Sequence, residues 1–199
     1  MFVATPESTP AAEKIYQSSA DAHGYTMNLT RAWAWRPDVF DGFAALRTQL
    51  TKGSTLSKRE IAVIVCATAS QLGDSYCSLA WGKNLAAESS GAAAAAVLAA
   101  RSAGELSARD LALAAWARKV VEDPNRTTQA DVDALRAAGL NDREVVEATT
   151  YIAFRIAFST VNDALGASPD WQLFEEVPKE VAAAVTFGRR PTTRPSEHA

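Results

Sequence analysis

The sequence predicts an all-α protein, and three observations carry that reading. Alanine, the strongest helix former, is abundant. Glycine and proline fall mostly between periodic stretches rather than inside them. A Ser or Asn followed three residues later by an acid recurs at the start of apolar-periodic segments, which is a helix-start signature.

The elements follow in order. Thr9-Pro10 gives a cap followed by proline at the first helical position, and Gly24 ends that helix. A second, short helix runs to about Arg36. Pro37 opens a third, which stops near Gly53. Ser57 opens a long helix to Leu72, closed by Gly73, and Asp74 caps the next to about Ser89. Helices over 92–102, 108–122 and 128–138 follow, the second ended by Asp123-Pro124 and the third by Gly139. The longest spans about Asp142 to Leu165, closed by Gly166, and a last short one begins near Pro178. Residues 188–199 hold two prolines and little that is apolar, so they are expected to be flexible or to lie along a neighbouring subunit.

Three of the helix starts are related. L-S-K-R-E-I-A-V at 56–63 matches L-S-A-R-D-L-A-L at 106–113, and L-N-D-R-E-V-V at 140–146 is a looser third copy. They read either as three well-capped starts or as an internally repeated helical unit, in which the acid also favours the positive end of the helix dipole.

Composition narrows the function. A chain of 199 residues suits one domain, 1–199, with a substantial core. A net charge of −3 gives no electrostatic case for nucleic-acid binding. The longest apolar run, Ala92 to Ala100, is too short to cross a bilayer, and the N-terminus lacks the pattern of a signal peptide. Two cysteines cannot form a disulfide framework, which points to a cytoplasmic setting. His23 and His198 are far apart, so no zinc spacing exists, and no phosphate loop or dinucleotide fingerprint is present. Neither a metal nor a cofactor is expected.

The chemistry-bearing stretch is Q-L-G-D-S-Y-C-S-L-A-W-G, residues 71–82. A hairpin turning at Gly73 brings Cys66 level with Cys77, and Ala62 level with Trp81. Cys77 stands at the third position of its helix, where unsatisfied N–H groups favour thiolate, while the Asp74 carboxylate opposes it. It reads either as a reactive thiol or as a small packed residue. Cys66, deep in an apolar helix, reads as buried. Helix axes about 8–10 Å apart leave a Cys66–Cys77 disulfide, which wants Cα atoms within about 7 Å, open only at a close approach.

Other residues carry alternatives. Glu147, Tyr151, Arg155, Ser159 and Asn162 or Asp163 form a polar stripe at helical spacing. It reads as a solvated face, or as a subunit interface or pocket wall with Arg155 ready to hold an anion. Trp33, Trp35, Trp81, Trp116 and Trp171 read as core or interface anchors, with a ligand pocket as the alternative. His23, at a helix end, suits the dipole, and a distant segment of this kind could supply a base to Cys77.

The L-S-x-R-E helix start, the Y-C at 76–77 and A-F-R-I-A-F-S-T-V-N-D-A-L-G at 153–166 resemble the carboxymuconolactone decarboxylase family, which includes the alkylhydroperoxidase D-like proteins. The resemblance implies a multi-helix bundle with internally repeated helical hairpins, assembled as a homo-oligomer (dimer, trimer or hexamer). Redox members of that family carry Glu, C-x-x-C and His, and their thiols reduce hydroperoxides. Those positions fall here on Ala62, Asp74, Cys77 and Trp81, so only the second cysteine is retained.

The resemblance implies a peroxidase-related antioxidant enzyme that uses Cys77 with an external thiol reductant, and Cys66 as the internal candidate for resolution. Asp74, Tyr76, Trp81 and Ala62 would shape the pocket. The alternatives are a non-redox decarboxylase or isomerase on a small carboxylated or lactone substrate, using Asp74, Tyr76 or Arg155, and a catalytically silent oligomeric binding protein.

Overall fold

A computed structural model describes residues 1–195 and is all-helical over them. The helices are α1 Pro10–His23, α2 Asn28–Trp33, α3 Pro37–Lys52, α4 Lys58–Leu72, α5 Ser75–Glu88 and α6 Gly91–Leu98. They continue with α7 Ala108–Glu122, α8 Gln129–Ala137, α9 Asp142–Ala164, α10 Trp171–Glu176 and α11 Lys179–Ala184. A single 3₁₀ turn, Pro124–Arg126, follows α7.

Helix α4 is the axle of the bundle. Every residue from Ile61 to Ala69 is buried, and α5, α6, α7 and α9 pack around it. A helix apolar on all sides has no solvent face to offer, so it takes the centre. Gly73 ends α4 in the left-handed conformation (φ 76°), which lets the chain reverse into α5 at no steric cost.

The repeated helix starts form one structural device. Capping boxes close at Ser57/Glu60, Ser107/Asp110 and Asn141/Glu144. The motif arginines then cross over. Arg59 on α4 pairs with Asp110 on α7 at 2.9 Å, and Arg109 on α7 pairs with Glu60 on α4 at 2.6 Å. Arg109 also reaches Glu144 on α9 at 2.9 Å. The reciprocity favours the internally repeated unit over three independent starts.

Two expectations are corrected and one helix is added. The Ala-rich helix is shorter than 92–102, ending at Leu98, with Ala100 at φ 54° just beyond it. Helix α10, absent from the sequence reading, starts after Asp170, whose side chain caps no N–H of the helix. One of its oxygens accepts from the Asn28 N–H at 3.0 Å and the other from the Tyr76 hydroxyl. The segment after residue 188 is tied to the body. Ser75 Oγ donates to the Arg189 carbonyl at 2.7 Å, and Thr192 N donates to the Pro169 carbonyl at 2.8 Å. At Gly188 a side chain would collide with the Gly73 carbonyl, so the segment lies directly on the α4–α5 turn. Residues 196–199, the rest of the expected flexible tail and the site of His198, lie outside the described residues.

Candidate functional site

Helices α1, α3, α5 and α9 enclose a cavity of about 400 Å³. That volume lies within the usual range for small-molecule sites, about 300–1,000 Å³. Its walls are largely apolar and aromatic, with Ile15, Phe40, Phe43, Trp81, Phe154 and Phe158 among them. The polar groups include Cys77 and Tyr76 from α5, Arg155 from α9, and His23, Lys14 and Arg47 nearer solvent.

Cys77 is held at the floor of this cavity. Asp74 is the N-cap of α5, and its Oδ1 accepts the Cys77 N–H at 2.9 Å. That bond fixes the first turn and with it the sulfur. From α9, Arg155 Nη2 donates to Cys77 Sγ at 2.9 Å. Cys77 is thus only 3% exposed, yet it lines the cavity. The groups around it pull in opposite directions. Burial pushes the thiol up and the Asp74 charge adds to that, while Arg155 and Ser159 favour thiolate. The first two prevail, so the resting form is the thiol.

Arg155 has an unusual environment. Its residue is 4% exposed, and no carboxylate pairs with it among the described residues. Its guanidinium lies 4.9 Å from the centre of the Phe158 ring and 5.6 Å from that of Trp81. Its Nε–H has no acceptor. Aromatic faces and a sulfur are weak company for a buried cation.

The polar stripe on α9 is buried. Tyr151, Arg155, Ser159 and Asn162 all lie inside, so the solvated-face reading falls, and of the four Arg155 lines the cavity. Asn162 accepts from Trp33 Nε1 at 2.8 Å, which anchors α2 to α9. Asp163, beside it, is pushed up to about 7, chiefly by burial and then by the nearby Asp74.

The remaining predicted residues separate. Tyr76 is buried and its hydroxyl donates to Asp170, with burial pushing the phenol up. Ala62 is buried in α4. Cys66 is fully buried, burial pushes its thiol up, and it does not line the cavity. Both cysteines are free. His23, at the end of α1, shares the cavity with Cys77. Of the tryptophans, Trp33 and Trp116 are core, Trp81 is pocket wall, and Trp35 is 55% exposed. The Tyr76–Asp170 pair was not read from the sequence, where the two residues lie far apart in unrelated segments.

No helix among the described residues is long and apolar enough to cross a membrane, and no cluster of metal-ligating side chains occurs among them. Fold and site together define an all-α protein with one cysteine facing an aromatic cavity. Neither models of protein families nor curated proteins yield a match. Solved structures do. An uncharacterised peroxidase-related protein with an alkylhydroperoxidase AhpD core, from Ralstonia eutropha, matches with a TM-score of 0.77 at 26% identity, over 89% of this chain and 97% of its own. An uncharacterised peroxidase-related protein from a Silicibacter species gives 0.77 at 22% identity, over 86% and 93%. The debrominase Bmp8 gives 0.71 at 14%, over 86% and 92%. Structural likeness thus places this chain in the AhpD/carboxymuconolactone decarboxylase-like superfamily, with an incomplete cysteine motif.

Proposed function

We propose that this protein is a peroxidase-related thiol oxidoreductase in which Cys77 alone reduces a small hydroperoxide. The observation that carries the reading is the 2.9 Å contact from Arg155 Nη2 to Cys77 Sγ at the wall of the cavity. A thiolate there has a cation to hold it, and the superfamily link to peroxidase-related proteins supports redox use of the sulfur.

The steps balance without a metal. The Cys77 proton passes to the adjacent Asp74 carboxylate, whose Oδ2 is buried without a hydrogen-bond partner. The sulfur attacks the distal oxygen of R–O–OH. The O–O bond breaks, the alkoxide takes up that proton and leaves as an alcohol, and Cys77 becomes a sulfenic acid. An external thiol condenses with it, releasing water and leaving a mixed disulfide. A second thiol frees Cys77 and departs in a disulfide. The enclosed position of Cys66 favours external over internal resolution. We further propose a homo-oligomer built from one domain and working in the cytoplasm.

The test is hydroperoxide consumption with a dithiol donor. Wild type and Cys66→Ser should turn over, and Cys77→Ser should fall to the uncatalysed rate. A wild type that consumes no peroxide and forms no sulfenic acid would sink the proposal. Activity on a carboxylated or lactone substrate that survives Cys77→Ser would favour a non-redox enzyme.

A further inference from the structure

A buried cation without a counter-ion is costly, and sequences rarely keep one unless something completes it. Arg155 is such a cation. Its immediate company is the Cys77 sulfur and two aromatic faces, and its Nε–H is idle. The sulfur is a poor counter-ion, because Asp74 and burial hold it as a thiol. Asp74 itself lies on the α5 cap beside the sulfur and does not line the cavity. The anion missing from Arg155 must therefore come from the cavity.

The other charges facing the cavity point the same way. Lys14 and Arg47 line it with Arg155, against the single carboxylate Asp41 among the described residues. His23 adds a further group that can carry a proton. None of Lys14, Arg47 and Asp41 is in an ion pair among the described residues, so the rim carries a net positive field that steers anions inward. Between rim and floor the walls are hydrocarbon and aromatic, including Ile15, Met27, Phe40 and Phe43. Such walls reject a compact hydrophilic anion such as inorganic phosphate and accept an apolar body.

We infer that Arg155 is the anion receptor of the cavity, and that the site takes a small carboxylic acid whose apolar part lies against the aromatic walls. The inference names the substrate class for the proposed reaction and rests on that reading for its chemistry, though not for its binding: the substrate is a hydroperoxide that also bears a carboxylate. A guanidinium suits this task because its planar fork of N–H donors matches a carboxylate's two oxygens.

Octanoate and its neutral isostere octanamide are the probes, with binding followed by calorimetry at about pH 7.5, where a carboxylic acid is ionised. Wild type should bind octanoate at least ~10-fold more tightly than octanamide, the scale of a charge-assisted hydrogen bond. Arg155→Met should erase that preference and keep octanamide binding within about threefold, since the apolar walls remain. Arg155→Lys, which keeps the charge but loses the planar fork, should keep only part of the preference and serves should Arg155→Met fail to fold. Binding of neither probe by wild type, equal binding of both, or a preference undiminished in Arg155→Met or in Arg155→Lys would each overturn the inference. A wild type that binds octanoate yet consumes no peroxide would refute the redox reading and leave the anion site standing.

Discussion

Arg109 and Arg155 are both arginines on central helices, and they live in opposite conditions. Arg109 sits where the repeated helix starts meet, and all three of its reaching nitrogens are used, by Glu60 at 2.6 Å, Glu144 at 2.9 Å and the Gly139 carbonyl at 2.6 Å. Arg155 lies deeper, and it has a sulfur, two rings and an idle Nε–H. One end of the bundle is electrostatically complete and the other is left open. A saturated arginine holds helices together, whereas an unsaturated one inside a cavity is kept for what enters.

Stability should separate the two first. Arg109→Ala leaves Glu60 and Glu144 facing each other without their cation and should lower unfolding free energy by about 2–3 kcal/mol, allowing for its partial exposure. Arg155→Met replaces a costly buried charge by a side chain of similar length and should be neutral or stabilising by about 1 kcal/mol. Urea denaturation of both variants measures this. An Arg155→Met loss as large as that of Arg109→Ala would erase the contrast.

A finer probe of the open end is Asp74→Asn. Asparagine caps a helix as well as aspartate does, so α5 should keep its start. Removing the negative charge removes one of the causes that push the Cys77 thiol up, so more thiolate is present at neutral pH. Alkylation of Cys77 by neutral iodoacetamide should quicken by about tenfold, one pKa unit's worth. An unchanged or slower rate would mean that burial alone governs the sulfur.

The smallest effect belongs to Asp163. Its carboxyl is pushed up to about 7 in the folded chain, against an ordinary value of 3.8. The folded state therefore binds this proton more tightly, and the resulting stability is present below about pH 4 and lost as pH rises through about 7. Asp163→Asn should be more stable than wild type by ~1 kcal/mol near pH 8, since partial exposure screens most of the interaction. The gap should close as pH falls from about 7 to about 4. Thermal melts across that range check the sign, and a gap that widens towards acid would contradict it.

The helices were legible because their starts are chemical. Thr9, Ser57, Asp74, Ser107 and Asn141 each cap the element expected of them. Helix α10 has six residues, too few to show a periodicity, and Asp170 at its start gives its oxygens to Asn28 and Tyr76 instead of the helix. The site was half legible. Cys77 beside an Asp74 cap could be read from spacing, and Arg155 could be named as an anion holder. Periodicity could not say that the stripe of Tyr151, Arg155 and Ser159 faces inward, because that depends on where α1 and α3 come to rest. The same missing information hid the shared cavity of His23 and Cys77. The segment after Gly188 looked loose by composition, but its ties run through backbone carbonyls, which leave no mark on residue identity.

The crossed pairs Arg59–Asp110 and Arg109–Glu60 tie the two copies of one motif into a closed exchange. Each copy's acid is answered by its twin's base, so neither half can drift in charge without stranding a partner in the other. Such mutual dependence restrains the scaffold while the lining of the chamber is free to change.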